Sequence, residues 1–167
     1  MKKITLSLLA VLAFSAPAHA SEQKEIGRYG VWSAYVFDEN GSKVCYMAAK
    51  PDKAEGKYSK RGEIAAMITH RPAEGTKNVF SYMAGYGYKK GSDVTLMVDA
   101  KKFTLFTQND MAWAADAPAD AAIAEAIKKG SKMIVKGVSG KGTETKDTFS
   151  LKGSTKAYEA ITTACGL

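Results

Sequence analysis

The chain has 167 residues, of which 46% are apolar and 25% charged, with a formal net charge of +7. That length fits one folded domain, and the composition excludes wholesale disorder. Fifteen glycines and four prolines exclude a collagen-like or proline-rich chain, and nothing after the extreme N-terminus is apolar over a bilayer's width of helix.

The N-terminus reads as an export signal. Lys2 and Lys3 precede the apolar run Ile4 to Phe14, and Ala18-His19-Ala20 has the small-x-small form of a cleavage site. Cleavage after Ala20 leaves residues 21–167 as a single domain and, by removing two lysines, lowers the net charge from +7 to +5. This leader suits a Gram-negative bacterium. It implies a periplasmic protein, with the outer membrane or secretion as further destinations.

The rest is dominated by short strand patterns. Val31 to Phe37 alternates, Asn40-Gly41 is a hairpin turn, and Lys43 to Ala49 is the return strand. Lys50 to Ser59 is polar and reads as a loop. Ile64 to Thr69, Val79 to Met83, Val94 to Val98, Phe103 to Thr107, Met133 to Val138 and Thr148 to Leu151 bring the count to about eight. Strands at this spacing, with turns between, predict a sandwich or barrel. Two helices interrupt them. Pro118, Asp120, Lys128, Lys129 and Gly130 bracket the first. The second starts at Ser154, with Ala157, Ala160, Ile161 and Ala164 on one stripe.

Cys45 and Cys165 both survive cleavage. An exported chain with two cysteines is expected to pair them, pinning the last helix to the second strand. A free thiol or a nucleophile is the alternative; their separation lacks zinc-site spacing.

Chemistry is sparse. His70 is the only histidine after the leader, so any triad would depend on it. Its place at a strand end, before Arg71-Pro72, suits a structural or solvent-exposed role. No cofactor motif stands out. Gly85-x-Gly87 lies outside a βαβ unit, Asp110, Asp116 and Asp120 do not follow a calcium-loop pattern, and no metal set is expected. One carboxylate pair, Asp110 and Asp116 around Trp113, is the sole basis for an alternative reading as an envelope-polymer hydrolase. The sharper feature is aromatic and basic: Tyr82, Tyr86 and Tyr88 alternate, and Lys89 and Lys90 follow. Tyr86, Tyr88, Lys89 and Lys90 form a candidate contact surface for acidic sugars, lipids or proteins. The competing reading packs the tyrosines inward and leaves the lysines to solubilise a turn. Nucleic acid is not expected as a partner, because +5 is mild for such binding.

Several segments together resemble one family. They are Trp32 and Cys45, Arg71-Pro72, Phe80 to Tyr86, Phe106, Asp110 to Ala114, the helix ending at Lys128-Lys129-Gly130, Gly137 to Gly142, Asp147 to Gly153, and Ala157 to Cys165. In order and spacing the chain resembles the invasion-associated locus B family of exported alphaproteobacterial proteins. The resemblance implies an immunoglobulin-like antiparallel β-sandwich with two short peripheral helices, a periplasmic or envelope location and no established enzyme activity, so the chain is not expected to be an enzyme. It also implies a link to host-cell entry, through an unidentified envelope or host-surface protein or polymer. Members often carry extra cysteines near the first strand, where this chain has Tyr35 and Phe37, so no second disulfide is implied.

Overall fold

The computed structural model describes residues 22–167, and the expected export leader lies outside the described residues. The two expected strands around Asn40-Gly41 are present as β2 (Trp32–Glu39) and β3 (Ser42–Ala49), preceded by β1 (Lys24–Tyr29). Asn40 and Gly41 both take positive φ, 53° and 78°. That backbone twist suits a two-residue hairpin, and Glu39 pairs with Ser42 directly across it.

Eight further strands follow. They are β4 (Lys53–Gly56), β5 (Ala65–Arg71), β6 (Thr76–Met83), β7 (Val94–Val98), β8 (Lys101–Gln108), β9 (Met111–Trp113), β10 (Lys132–Val138) and β11 (Glu144–Ser150). The helices are α1 (Ala117–Lys129) and α2 (Ser154–Ala164). Three strands exceed expectation: β1, β9, and β4 inside the segment read as a loop. Each is polar or short, and β4 is held only by antiparallel pairing with β11. β11 starts at Glu144, ahead of the expected Thr148.

All pairings are antiparallel, in the order β1-β2-β3-β5-β6-β9-β8-β7-β10-β11-β4. The sheet folds into two leaves at β8. Lys101 to Leu105 pair with β7, whereas Phe106 to Gln108 pair with β9. The expected sandwich is therefore made of leaves that share a strand. Their inner faces meet. Tyr82 on β6 packs edge-on to Phe149 on β11 at 6.2 Å, and the Trp32 Nε1–H donates to the Ser150 carbonyl at 3.0 Å.

Strict alternation builds this core. Ala66, Ile68 and His70 of β5 point inward, as do Phe80 and Tyr82 of β6, Leu96 of β7, and Met133 and Val135 of β10; all are buried. Burying each large apolar side chain contributes about 1.5–3 kcal/mol.

The helices cover the inner face of the first leaf where the second leaf does not reach. The Asp116 carboxylate accepts from the Ala119 amide as N-cap of α1. Asp120, which the sequence suggests as another helix-start acid, instead accepts from the Phe80 amide at 2.8 Å, fastening α1 to β6. Burial raises the pKa of Asp120, and the Phe80 hydrogen bond opposes that shift. On α2, Ala157 and Ile161 are buried. Cys165, just past the helix, is bonded to Cys45 across a sequence separation of 120. A loop of that length stabilises the fold by roughly 4–5 kcal/mol in the chain-entropy account.

His70 is buried beneath α2. Its Nδ1 accepts from the Asn78 amide at 3.0 Å, and its Nε2 lies 3.3 Å from Thr162 Oγ1. That hydroxyl donates to the Tyr158 carbonyl, so the network assigns the proton to Nε2 and a neutral ring. Burial lowers the pKa of His70. This is a satisfied structural histidine.

Candidate functional site

The site is built where the segment before β5 crosses the segment after β6. The Gly62 amide donates to the Gly85 carbonyl at 2.8 Å. Gly85 has φ +72°, and a Cβ on it would lie 2.6 Å from the Gly62 oxygen. No larger residue fits this crossing.

The crossing places Arg61 between the leaves. Its Nη1 and Nη2 donate to the two Asp147 oxygens at 2.7 and 2.6 Å, and its Nε donates to the Ala84 carbonyl at 2.7 Å. Nη2 also lies 3.2 Å from the Tyr82 hydroxyl, which itself donates to Asp147. The two charged side chains are 3% and 1% exposed. Burial disfavours the Arg61 charge, but the Asp147 carboxylate more than offsets this and raises its pKa. Burial, then the neighbouring carboxylate, likewise raises the pKa of Tyr82. Asp147 thus joins β11 to β6 and to the strand crossing through one bidentate pair.

Above this pair lies a cleft of about 360 Å³. Its walls are the Lys57–Arg61 segment, Tyr86-Gly87, and the turn between β10 and β11. Two hydrogen bonds hold that turn to the Gly85–Lys90 segment and make the Tyr88–Ser139 bridge: Gly140 N–H to Gly87 O at 2.8 Å and Lys89 N–H to Val138 O at 2.9 Å. The Arg61 guanidinium is sandwiched, 5.3 Å from the Tyr58 ring and 4.9 Å from the Tyr86 ring. The Tyr86 hydroxyl is 2.5 Å from Thr145 Oγ1.

The rim is basic, with Glu144 lining the adjoining hollow beside Lys57 and Lys141. Lys57, Lys60 and Lys141 line the cleft and are exposed. None is in an ion pair among the described residues, whereas nearby Lys53 and Lys146 both pair with Glu55, and Lys50 with Glu63. No carboxylate side chain lines this cleft. A larger concavity of about 710 Å³ on the outer face of the first leaf lies among Tyr35, Tyr46, Met67 and Met83. Its flanking Arg28 and Lys50 are already paired with Glu25 and Glu63.

The four residues singled out from sequence divide here. Tyr86 lines the cleft. Tyr88 is packed edge-on to it at 5.2 Å and fills the space beside Gly137. Its hydroxyl is buried with no partner among the described residues, and burial raises its pKa. Tyr82 points into the sandwich. Lys89 and Lys90 are exposed but do not line the cleft. Sequence reasoning missed Lys57, Tyr58, Lys60, Arg61 and Lys141. The run Lys57-Tyr58-Ser59-Lys60-Arg61 carries the same aromatic-basic signal as Tyr86 to Lys90, and it begins inside the polar Lys50 to Ser59 segment read as a loop.

The carboxylate pair finds no cavity. Asp116 is occupied as a helix cap, Asp110 is exposed in the turn between β8 and β9, and neither lines a cavity described above. Among the described residues, no group of three or more His, Cys, Asp or Glu could hold a metal, and no helix is long and apolar enough to cross a membrane.

These features define a class of protein: a disulfide-pinned antiparallel sandwich with a buried Arg–Asp tie between its leaves and a basic cleft above it. A family model described as "Invasion associated locus B (IalB) protein" matches residues 32–162, and the chain belongs to that family. The crystal structure of invasion associated protein B from Bartonella henselae is similar in fold, with a TM-score of 0.57 at 15% identity. The match covers 83% of this chain and 95% of that one. No curated protein matches the sequence.

Proposed function

We propose that this invasion-associated locus B protein is exported after cleavage behind Ala20 and acts outside the cytoplasm by binding, without catalysis. The site of contact is the cleft between Lys57–Arg61 and the β10–β11 turn. One observation carries this reading: three exposed lysines surround an aromatic-walled cleft and have no carboxylate partners there. Unpaired like charges around a concave wall attract an oppositely charged partner and raise its local concentration. The family's association with invasion supports a partner on the envelope or on a host surface, protein or polymer. That neither Asp110 nor Asp116 lines a described cavity supports binding over the hydrolase alternative.

The test is retention of a membrane-envelope fraction by the immobilised mature chain. Retention that falls with added salt, and falls further when Lys57 and Lys60 are changed to Glu, supports the reading. Failure to retain anything, or retention indifferent to both changes, overturns it.

A further inference from the structure

We infer that the ligand of this cleft is an acidic polysaccharide, a chain of sugar rings with carboxylate or sulfate groups spaced along it. The inference rests on the binding reading above and narrows it to one ligand class.

Three features of the cleft select that chemistry. First, the only guanidinium in the cleft is spent. Arg61 directs both terminal nitrogens at Asp147 and its Nε at the Ala84 carbonyl. No planar fork remains for a compact phosphate, which arginine recognises bidentately. Second, the remaining cations are lysines on exposed stems from two separate segments, Lys57 and Lys60 on one wall and Lys141 on the other. Point charges distributed along a groove match charges distributed along a chain. Third, the wall offers an amphipathic ring among hydroxyl groups. Tyr58 is 36% exposed, with Arg61 on its ring, and Thr143 lines the opposite wall. An aromatic face beside hydroxyls suits the apolar face and polar edge of a sugar ring. With one exposed ring here, successive bases of a nucleic acid would have no series of platforms to stack on.

Gly87 supplies a decisive probe. It lines the cleft, its backbone is outside the left-handed region, and a Cβ built on it meets no atom within 4 Å. A larger side chain at this cleft-lining position starts in open space and adds bulk at the cleft without removing any charge.

The experiment measures binding of the mature chain, residues 21–167, to immobilised polygalacturonate. Neutral dextran and single-stranded oligothymidylate serve as comparison surfaces. Wild type is expected to bind polygalacturonate, release it at high salt and ignore dextran. Lys57→Gln, Lys60→Gln and Lys141→Gln combined should weaken binding about tenfold. Lys101→Gln, Lys102→Gln and Lys156→Gln make the same change in net charge on exposed, unpaired lysines outside the cleft, and should weaken it less than about twofold. Gly87→Leu should weaken it about tenfold with every lysine in place. Equal losses in the two triple variants would reduce the effect to net charge and overturn the inference. An unchanged Gly87→Leu variant would do the same, because the cleft would then be unused. Tighter binding to oligothymidylate than to polygalacturonate would assign the cleft to nucleic acid. If wild type ignores polygalacturonate while Gly87→Leu still abolishes retention of the envelope fraction, the ligand class falls and the binding reading stands. If wild type retains no envelope component either, both fall.

Discussion

The floor and the rim of the cleft carry the same sign of charge and are built for different work. On the floor, Arg61 is almost fully buried and paired bidentately with Asp147. At the rim, Lys57, Lys60 and Lys141 stand in solvent and form no ion pair among the described residues. A buried pair removes its charge from the surface and leaves a geometric tie between the leaves. Exposed unpaired charges contribute almost nothing to folding and leave their field available to a partner. Positive charge alone therefore does not mark a binding site. Burial and pairing decide which cation holds the structure and which one meets a ligand.

Breaking the floor should give the largest effect on stability. Arg61→Met leaves the Asp147 carboxylate buried and unpaired, and is expected to cost about 3–5 kcal/mol. Denaturant unfolding of the mature chain measures this; a cost below about 1 kcal/mol would show that water reaches Asp147 and that the tie is dispensable.

Tyr82→Phe probes the same floor more gently. It removes one donor to Asp147 and keeps the ring against Phe149. The expected cost is about 1–3 kcal/mol, and a double variant with Arg61→Met should lose less than the two single costs added, since the residues share one network.

His70 sharpens the contrast from the other end of the sandwich, where a titratable group is buried neutral. Its pKa is lowered chiefly by burial, with Lys77 nearby adding to the shift and a backbone hydrogen bond at Thr69 opposing it. Below about pH 6.5 the unfolded chain binds a proton on this ring more readily than the folded one. Stability should therefore decline as pH falls from about 6.5 toward the lowered folded-state value, and level off beneath it. His70→Gln should flatten that part of a melting-temperature profile. An unchanged slope would assign it to other groups.

The rim should show the smallest effect on folding. Changing Lys57, Lys60 and Lys141 to Gln is expected to move stability by no more than about 0.5 kcal/mol per site. A larger loss in thermal unfolding would mean these lysines have structural partners, and the contrast with Arg61 would dissolve.

What the sequence determined by itself was local. Alternation places β2, β3, β5 and β7 because a half-buried strand has period two. Asn40-Gly41 forms its turn because those residues tolerate positive φ. Pro118, Gly130 and the Ala157–Ile161 spacing place the helices. The Cys45–Cys165 bond is the one expected from one pair of cysteines in a chain whose N-terminus reads as an export signal. Only the tertiary structure decided the rest. β4 is four mostly polar residues, extended because β11 lies beside it. Arg61 and Asp147 are 86 positions apart, and neither carries a local signal that it will be buried. Tyr86 and Tyr88 look equivalent in sequence and both reach Gly137, yet of the two it is Tyr86 that also lines the cleft. Likewise, a lysine's neighbours along the chain do not show whether a carboxylate from another strand will reach it. Lys146 finds Glu55 through the β4–β11 pairing, Lys53 finds it on its own strand, and the three rim lysines form no ion pair among the described residues. Periodicity and turn chemistry act over a few residues, whereas charge pairing and cleft formation depend on which strands the folded leaves bring face to face.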